Sequence, residues 1–226
     1  MDGGKVLENS TARAAQVVRD PTLVVDFYSR FAAVYEVWGN LVDGRVRRRM
    51  VSVASVADGD AVLDVGCGDG TFLELFARAN PSGRTVGIDL APGMRARARR
   101  RLERAHLDAE VHPGDARELA FGDASFDALT CAYVLDILPD EEIEQALGEF
   151  RRVLRPGGRL VVANAGRALR RRHRLPELLY GTRLPFSSLC RPIDSLAKVA
   201  AAGFRDARCE YSAQFLFPTE LVVASR

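Results

Sequence analysis

Apolar and polar positions follow two rhythms along this chain. Over residues 21–50, Val24, Phe27, Phe31, Val34, Tyr35, Trp38 and Leu41 recur at helical spacing. From residue 61 onward, short apolar runs bounded by turn residues alternate with amphipathic stretches. Residues 61–65, 84–89, 110–112, 126–132 and 159–163 read as strands, and two more fall near 207–213 and 220–224. Helices are predicted over 71–79, from Pro92 with Met94, Ala98, Leu102 and Ala105 as its stripe, from Asp140, and over 193–202. The helix from Asp140 carries Glu141 and Glu142 in its first turn and Arg151 and Arg152 in its last, as the helix dipole favours. Ile143, Ala146, Leu147 and Phe150 form its buried face, and Pro156-Gly157-Gly158 is expected to end it in a sharp turn before the next strand. Alternating strands and helices predict an α/β fold with a mostly parallel sheet covered on both faces.

This pattern divides the chain. Residues 1–50 form a lead-in and a helical lid, placed ahead of the first strand. Residues 51–226 form the main domain, and the stretch at about 165–190 breaks the rhythm as an insertion rich in arginine, leucine, proline and aromatics.

The turn after the first strand is the most informative segment. Val62-Leu63-Asp64-Val65-Gly66-Cys67-Gly68-Asp69-Gly70 runs a buried strand into glycines at alternating positions. Such glycines let backbone approach a ligand where any Cβ would clash. The third glycine comes one position earlier than in the dinucleotide pattern G-x-G-x-x-G. Asp64 and Asp69 flank the turn, so a ligand carrying an ammonium and a sulfonium would be favoured there and a diphosphate repelled.

Ligands of open α/β sheets bind beyond the carboxyl ends of the strands. Strand two ends at Asp89, nineteen positions past Gly70, where a carboxylate can accept both ribose hydroxyls. After strand three, Asp115 can accept an adenine amine and the Ala116 N–H can donate to a ring nitrogen. Leu90 and Met94 would sandwich the purine. Strand four ends at Cys131, Ala132, Tyr133, Val134, Leu135 and Asp136, beneath the reacting group.

Composition narrows the field. The 226 residues suit one α/β domain, and 47% apolar with 27% charged residues is ordinary for a globular chain. A net charge of +2 is too balanced to point to nucleic acid, although all but Lys5 and Lys198 of the 32 basic residues are arginine. Cys67, Cys131, Cys190 and Cys209 show no C-x-x-C pair, which argues against zinc and for a reducing compartment. No metal is expected. Neither a membrane-length apolar run nor a signal-like N-terminus is present, so a cytoplasmic location is expected, without stable membrane insertion.

With the motifs VLDVGCGDG, VGIDLAPGM, GDARELAFGDASFDAL and RRVLRPGGRLVV in order over residues 60–163, the chain resembles the class I S-adenosylmethionine-dependent methyltransferases. It is most similar to the quinone-biosynthesis and phospholipid N-methyltransferase groups, including the upstream stretch from Tyr28 to Tyr35. The resemblance implies a Rossmann-like, doubly wound, seven-stranded sheet and S-adenosyl-L-methionine as cofactor. It implies that Asp64, Gly66, Cys67, Gly68 and Gly70 hold the methionine end, with Cys131 on the floor and Tyr35 near the cofactor. Asp89 would hold the ribose, and Leu90, Met94, Asp115 and Ala116 the adenine.

Asp136 stands where many members of these groups carry histidine, and residues 164–191 match neither closely. Asp136 is the candidate general base, with Tyr133 and His173 behind it; alternatively Asp136 merely opens the turn before Pro139. The expected partner is a small, partly apolar acceptor (aromatic, quinone-like or lipid-like) between the lid and the insertion, lined by Leu135, Tyr180, Arg183 and Phe186. Arg167, Arg170, Arg171, Arg172 and Arg174 read as a solvated face, with an anionic acceptor or peripheral membrane contact as the functional alternative. Two other functions stay open: a non-catalytic module that only binds the cofactor, and an NAD-dependent oxidoreductase.

Overall fold

The computed structural model describes residues 44–166, 190–214 and 217–226. Tyr28, Tyr35, Trp38, His173, Tyr180, Arg183, Phe186 and the arginine cluster at 167–174 lie outside those residues.

Helix α1 (Gly44–Ala54) precedes strand β1 (Ala61–Val65), and helix α2 (Thr71–Ala79) leads to β2 (Arg84–Asp89). Helix α3 (Pro92–Ala105) joins β2 to β3 (Glu110–Pro113); β4 (Phe126–Ala132) follows without an intervening α-helix. Helix α4 (Asp140–Val153), β5 (Leu154–Ala165), α5 (Ser195–Ala201), β6 (Arg205–Gln214) and β7 (Phe217–Ser225) complete the order. The strands form one seven-stranded sheet in the order β3-β2-β1-β4-β5-β7-β6. Strands β1 to β5 run parallel, and β7 enters antiparallel between β5 and β6. The chain therefore winds outward both ways from β1, and the order reverses between β1 and β4. That is where a sheet of this type opens a ligand crevice.

Alternation along the central strands divides the core into two faces. Leu63, Val65, Leu129, Cys131, Leu160 and Val162 pack with Ile143, Leu147 and Phe150 of α4 and Val199 of α5. On the other face Val62, Ala128, Val161 and Ala163 pack with Phe76 of α2 and with Val46, Met50, Val53 and Ala54 of α1. Burying a large aliphatic or aromatic side chain contributes roughly 1.5–3 kcal/mol. Helix α1 spans the expected 50/51 boundary, and its apolar residues belong to this sheet core.

Two details depart from the expected pattern. Strand β5 starts at Leu154, directly after α4, because Phe126 pairs with Leu154 while Ala128 already pairs with Arg159. Pro156-Gly157-Gly158 is thus an irregularity inside the ladder and not a turn ahead of it. Helix α5 begins at Ser195, later than the apolar pattern suggests, because the Asp194 carboxylate accepts from the Ala197 N–H and caps it.

One close approach fixes the glycine loop against α3. Gly70 has φ +81°, and a Cβ there would lie 2.8 Å from the Ala98 Cα. Backbone on one side and a left-handed conformation on the other leave no cheap adjustment. Gly70→Ala is expected to lower stability by roughly 2–4 kcal/mol. A thermal melt within a degree of the parent would contradict this close packing.

Candidate active site

The carboxyl ends of β3, β2, β1 and β4 lie side by side, so their following loops face one crevice. The loop after β1 folds over β2: the N–H groups of Gly66 and Cys67 both donate to the Ile88 carbonyl, at 2.8 and 2.9 Å. Gly66 has φ +71°, and a Cβ there would come 2.2 Å from Cγ2 of Val134 in the loop after β4. Absence of that Cβ lets the loops after β1 and β4 touch.

Asp64 lies beneath this junction with only 2% of its surface exposed. Register brings it opposite Thr130 on β4, whose hydroxyl donates to Asp64 Oδ1 at 2.7 Å. Its other oxygen, Oδ2, is buried without a hydrogen-bond partner. Burial pushes the carboxyl up to about 7, against the Thr130 bond and aided by the nearby Asp89 charge. An isolated buried acceptor of this kind is costly unless a donor arrives. A cation with N–H groups, such as an ammonium, would complete it; a diphosphate would worsen it.

Asp89 performs two tasks with one carboxylate. Oδ2 accepts from the Gly68 N–H at 2.9 Å, and Oδ1 from the Ala91 N–H at 2.8 Å. It thereby links the glycine loop to the start of α3. Burial raises its pKa, opposed by those two N–H groups. Next to it Leu90 is 47% exposed, one of two large apolar side chains so exposed among the described residues. Met94 is buried on α3. An exposed leucine beside a carboxylate at a strand end suits the face of a flat, apolar ring system.

Asp115 is engaged more tightly than its pattern suggests. Arg117 donates to it from the backbone N–H, from Nε and from Nη2, the last at 2.6 Å, and its guanidinium also reaches Glu142 on α4. The Arg117 side chain, with its N–H, holds the Asp115 carboxyl below the usual range despite burial. A carboxylate has about four acceptor positions, so an incoming amine shares it with Arg117. Ala116 is buried beside it.

Several residues occupy other roles than their sequence positions suggested. Asp69 does not face the crevice: its Oδ1 accepts from the Thr71 N–H and hydroxyl, and its Oδ2 pairs with Arg101 at 2.7 Å. The negative flank of the loop is therefore Asp64 with Asp89. The Cys67 side chain packs among Leu73, Ala98, Leu102 and Val111, so only its backbone faces the loop interior. Cys131 is wholly buried in the core on the α4 side. Burial pushes both thiols well above their ordinary range, which makes them poor nucleophiles.

The Asp136 carboxylate is wholly buried. Its Oδ2 accepts from the Ala165 N–H at 2.7 Å, and its backbone carbonyl from the Arg191 N–H at 2.9 Å. Cys190 also hydrogen-bonds its side chain, and burial pushes the carboxyl up to about 7. It fastens the end of β5 and the start of the 190–194 segment to the loop after β4, so as a candidate base it is enclosed. Tyr133, at φ +57°, directs its hydroxyl across β5 to Thr219 Oγ1 on β7, at 2.9 Å. That bond makes it a brace. Among the described residues, no cluster of His, Cys, Asp and Glu could hold a metal ion, and no helix is long and apolar enough to cross a membrane.

Sequence reasoning missed Thr130, Arg101 and Arg117. Thr130 was the most findable, as a polar residue inside the apolar strand Phe126–Ala132. Arg101 and Arg117 carried no distinguishing signal in so arginine-rich a chain.

Comparison with known proteins agrees with this arrangement. Residues 62–158 match the family model described as a methyltransferase domain. The chain is 39% identical over 139 residues to a demethylmenaquinone methyltransferase of Thermus thermophilus, covering 60% of this chain and 62% of that protein. It is 35% identical over 139 residues to a phosphatidylethanolamine N-methyltransferase of Cereibacter sphaeroides, covering 61% and 65%. The chain thus spans less than two thirds of either relative. In fold it is similar to magnesium protoporphyrin IX methyltransferase of Synechocystis PCC 6803, solved with bound S-adenosylhomocysteine. The TM-score is 0.71 at 19% identity, over 92% of this chain and all of that one. Over residues 62–158 the chain is thus similar to methyltransferase domains, and its sheet order and glycine loop agree with that similarity.

Proposed function

We propose that this protein transfers a methyl group from S-adenosylmethionine to a carbon, oxygen or nitrogen of a small, partly apolar acceptor. The observation that carries this reading is the buried Asp64 carboxylate, whose Oδ2 lacks a donor directly beneath the glycine loop. The methionine ammonium would supply that donor. Asp89 would take the ribose hydroxyls, and Leu90 and Met94 the adenine faces. Asp115 and Ala116 would take its polar edge, and Gly66, Gly68 and Gly70 would line the methionine chain with backbone.

The cofactor supplies an activated methyl group on a sulfonium, so the chain's own task is mainly alignment. Good alignment is worth roughly 7–11 kcal/mol of barrier. The relatives named for demethylmenaquinone and phosphatidylethanolamine support an aromatic, quinone-like or lipid-like acceptor. The four separated cysteines, all free thiols, support a cytoplasmic setting. Incubation with methyl-labelled cofactor and a panel of phenols, quinols and aminolipids should yield labelled product. Binding of S-adenosylhomocysteine with no labelled product across that panel would favour the non-catalytic reading.

We assign Asp136 to positioning. Asp136→Asn keeps an oxygen for the Ala165 N–H and should retain turnover within about tenfold, whereas loss of a general base typically costs 10²–10⁴-fold. Asp136→Ala should lower the melting temperature, since it strands the Ala165 N–H in the interior. A hundredfold fall in kcat for Asp136→Asn, with an altered pH profile and an unchanged melt, would restore Asp136 as the base.

A further inference from the structure

On the outer side of the glycine loop, α2 and α3 enclose a groove of about 480 Å³ lined by Asp69, Glu74, Arg78, Arg97, Arg100, Arg101 and Arg104, with Ala105 at its end. Among the described residues, five arginines line it beside two carboxylates. Arg97, Arg100, Arg101 and Arg104 follow i, i+3, i+4, i+7 spacing, so they share one face of α3. Glu74 holds Arg78 at 2.9 Å, and Asp69 holds Arg101 at 2.7 Å. Arg100 and Arg104 have no acidic partner among the described residues; the Arg100 Nε donates only to the Ala96 carbonyl. Like charges stacked on one helix face repel, and arginine forks match phosphate oxygens.

The groove is tied to the cofactor loop. Arg101 donates from Nε to the Asp69 carbonyl at 3.0 Å, besides its ion pair with the Asp69 carboxylate. Asp69 sits between Gly68, held by Asp89, and Gly70, packed on Ala98. An anion that draws on Arg101 acts directly on the loop's outer anchor.

We propose that this groove binds a soluble anion carrying two or three linked phosphates, and that the bound anion weakens the hold of α3 on the glycine loop. The spacing of the arginines along α3 favours ligands that bridge Arg97–Arg101 to Arg104. Linkage is reciprocal: whatever factor the anion imposes on cofactor affinity, the cofactor imposes on the anion.

The test is calorimetric titration of inorganic tripolyphosphate into the full chain at 150 mM salt without cofactor. Saturable binding is expected at one site, weakened at least tenfold in R100Q/R104Q. It should stay within twofold in R48Q/R208Q, which removes the same charge from other exposed positions. Saturating tripolyphosphate should raise the S-adenosylhomocysteine Kd three- to tenfold. No saturable heat, or equal loss in both double variants, would overturn the site. An unchanged S-adenosylhomocysteine Kd would overturn the coupling. Recruitment to phosphatidylglycerol vesicles without tripolyphosphate binding would overturn the soluble anion in favour of a lipid surface. Because the anion is titrated alone, failure of S-adenosylhomocysteine to bind would reject the proposed function and leave the anion result to stand or fall separately.

Discussion

Asp64→Asn is expected to stabilise the ligand-free protein at pH 8 while lowering its affinity for S-adenosylmethionine roughly 10- to 100-fold. Burial raises the Asp64 carboxyl to about 7 in the fold, from 3.8 as an ordinary group. Between those values the folded chain holds a proton that the unfolded chain has lost. Stability is therefore greatest at or below pH 4 for this group, and falls as pH rises through 7. Asparagine removes the ionisation, keeps an acceptor for the Thr130 hydroxyl, and costs an unpaired amide. A net relief of about 2 kcal/mol at pH 8 would raise the melting temperature by roughly 4–8 °C. At pH 5, where the parent carboxyl is already protonated, the gain should vanish. Affinity falls because a charge-assisted bond to an ammonium is worth roughly 1.5–3 kcal/mol. A variant that melts lower at pH 8, or binds cofactor as tightly as the parent, would remove Asp64 from its assigned place.

Asp89→Ala should abolish tight cofactor binding, with a loss of roughly a hundredfold or more. Two ribose hydroxyls lose their acceptor, and the Gly68 and Ala91 N–H groups lose theirs. Two charge-assisted bonds at roughly 1.5–3 kcal/mol each set the scale. The same substitution removes the negative charge that helps raise Asp64, so the Asp64 pKa should fall, seen by NMR titration. Equilibrium dialysis with labelled S-adenosylhomocysteine measures the affinity directly. Binding within fivefold of the parent would place the ribose elsewhere.

Much of this site was written in the strand ends. Strands β1, β2 and β4 matched the apolar pattern residue for residue, because buried parallel strands are short apolar runs with little else to decide. The loop Gly66–Gly70 announced itself through spacing, and Asp64 and Asp89 through their distance from it. What stayed hidden was long-range pairing between polar side chains. Asp69 reads as a pocket carboxylate until Arg101, thirty-two residues on, is brought against it by the packing of Gly70 on Ala98. Asp136 reads as an accessible base until Ala165 and Cys190 enclose it. The place of β7 between β5 and β6 was equally invisible, since an antiparallel hairpin and a parallel pair share one apolar alternation. The acceptor side was least legible, because residues 167–189 carry no periodic pattern to place them.

Parallel calorimetric titrations of S-adenosylmethionine and NAD between pH 6 and 7 test the electrostatic reading most directly. The prediction is micromolar binding of S-adenosylmethionine, with heats that vary with the buffer's ionisation enthalpy as Asp64 gives up its proton, and no heat from NAD once tripolyphosphate saturates the arginine groove. Clean titration by NAD, with S-adenosylmethionine silent, would contradict it.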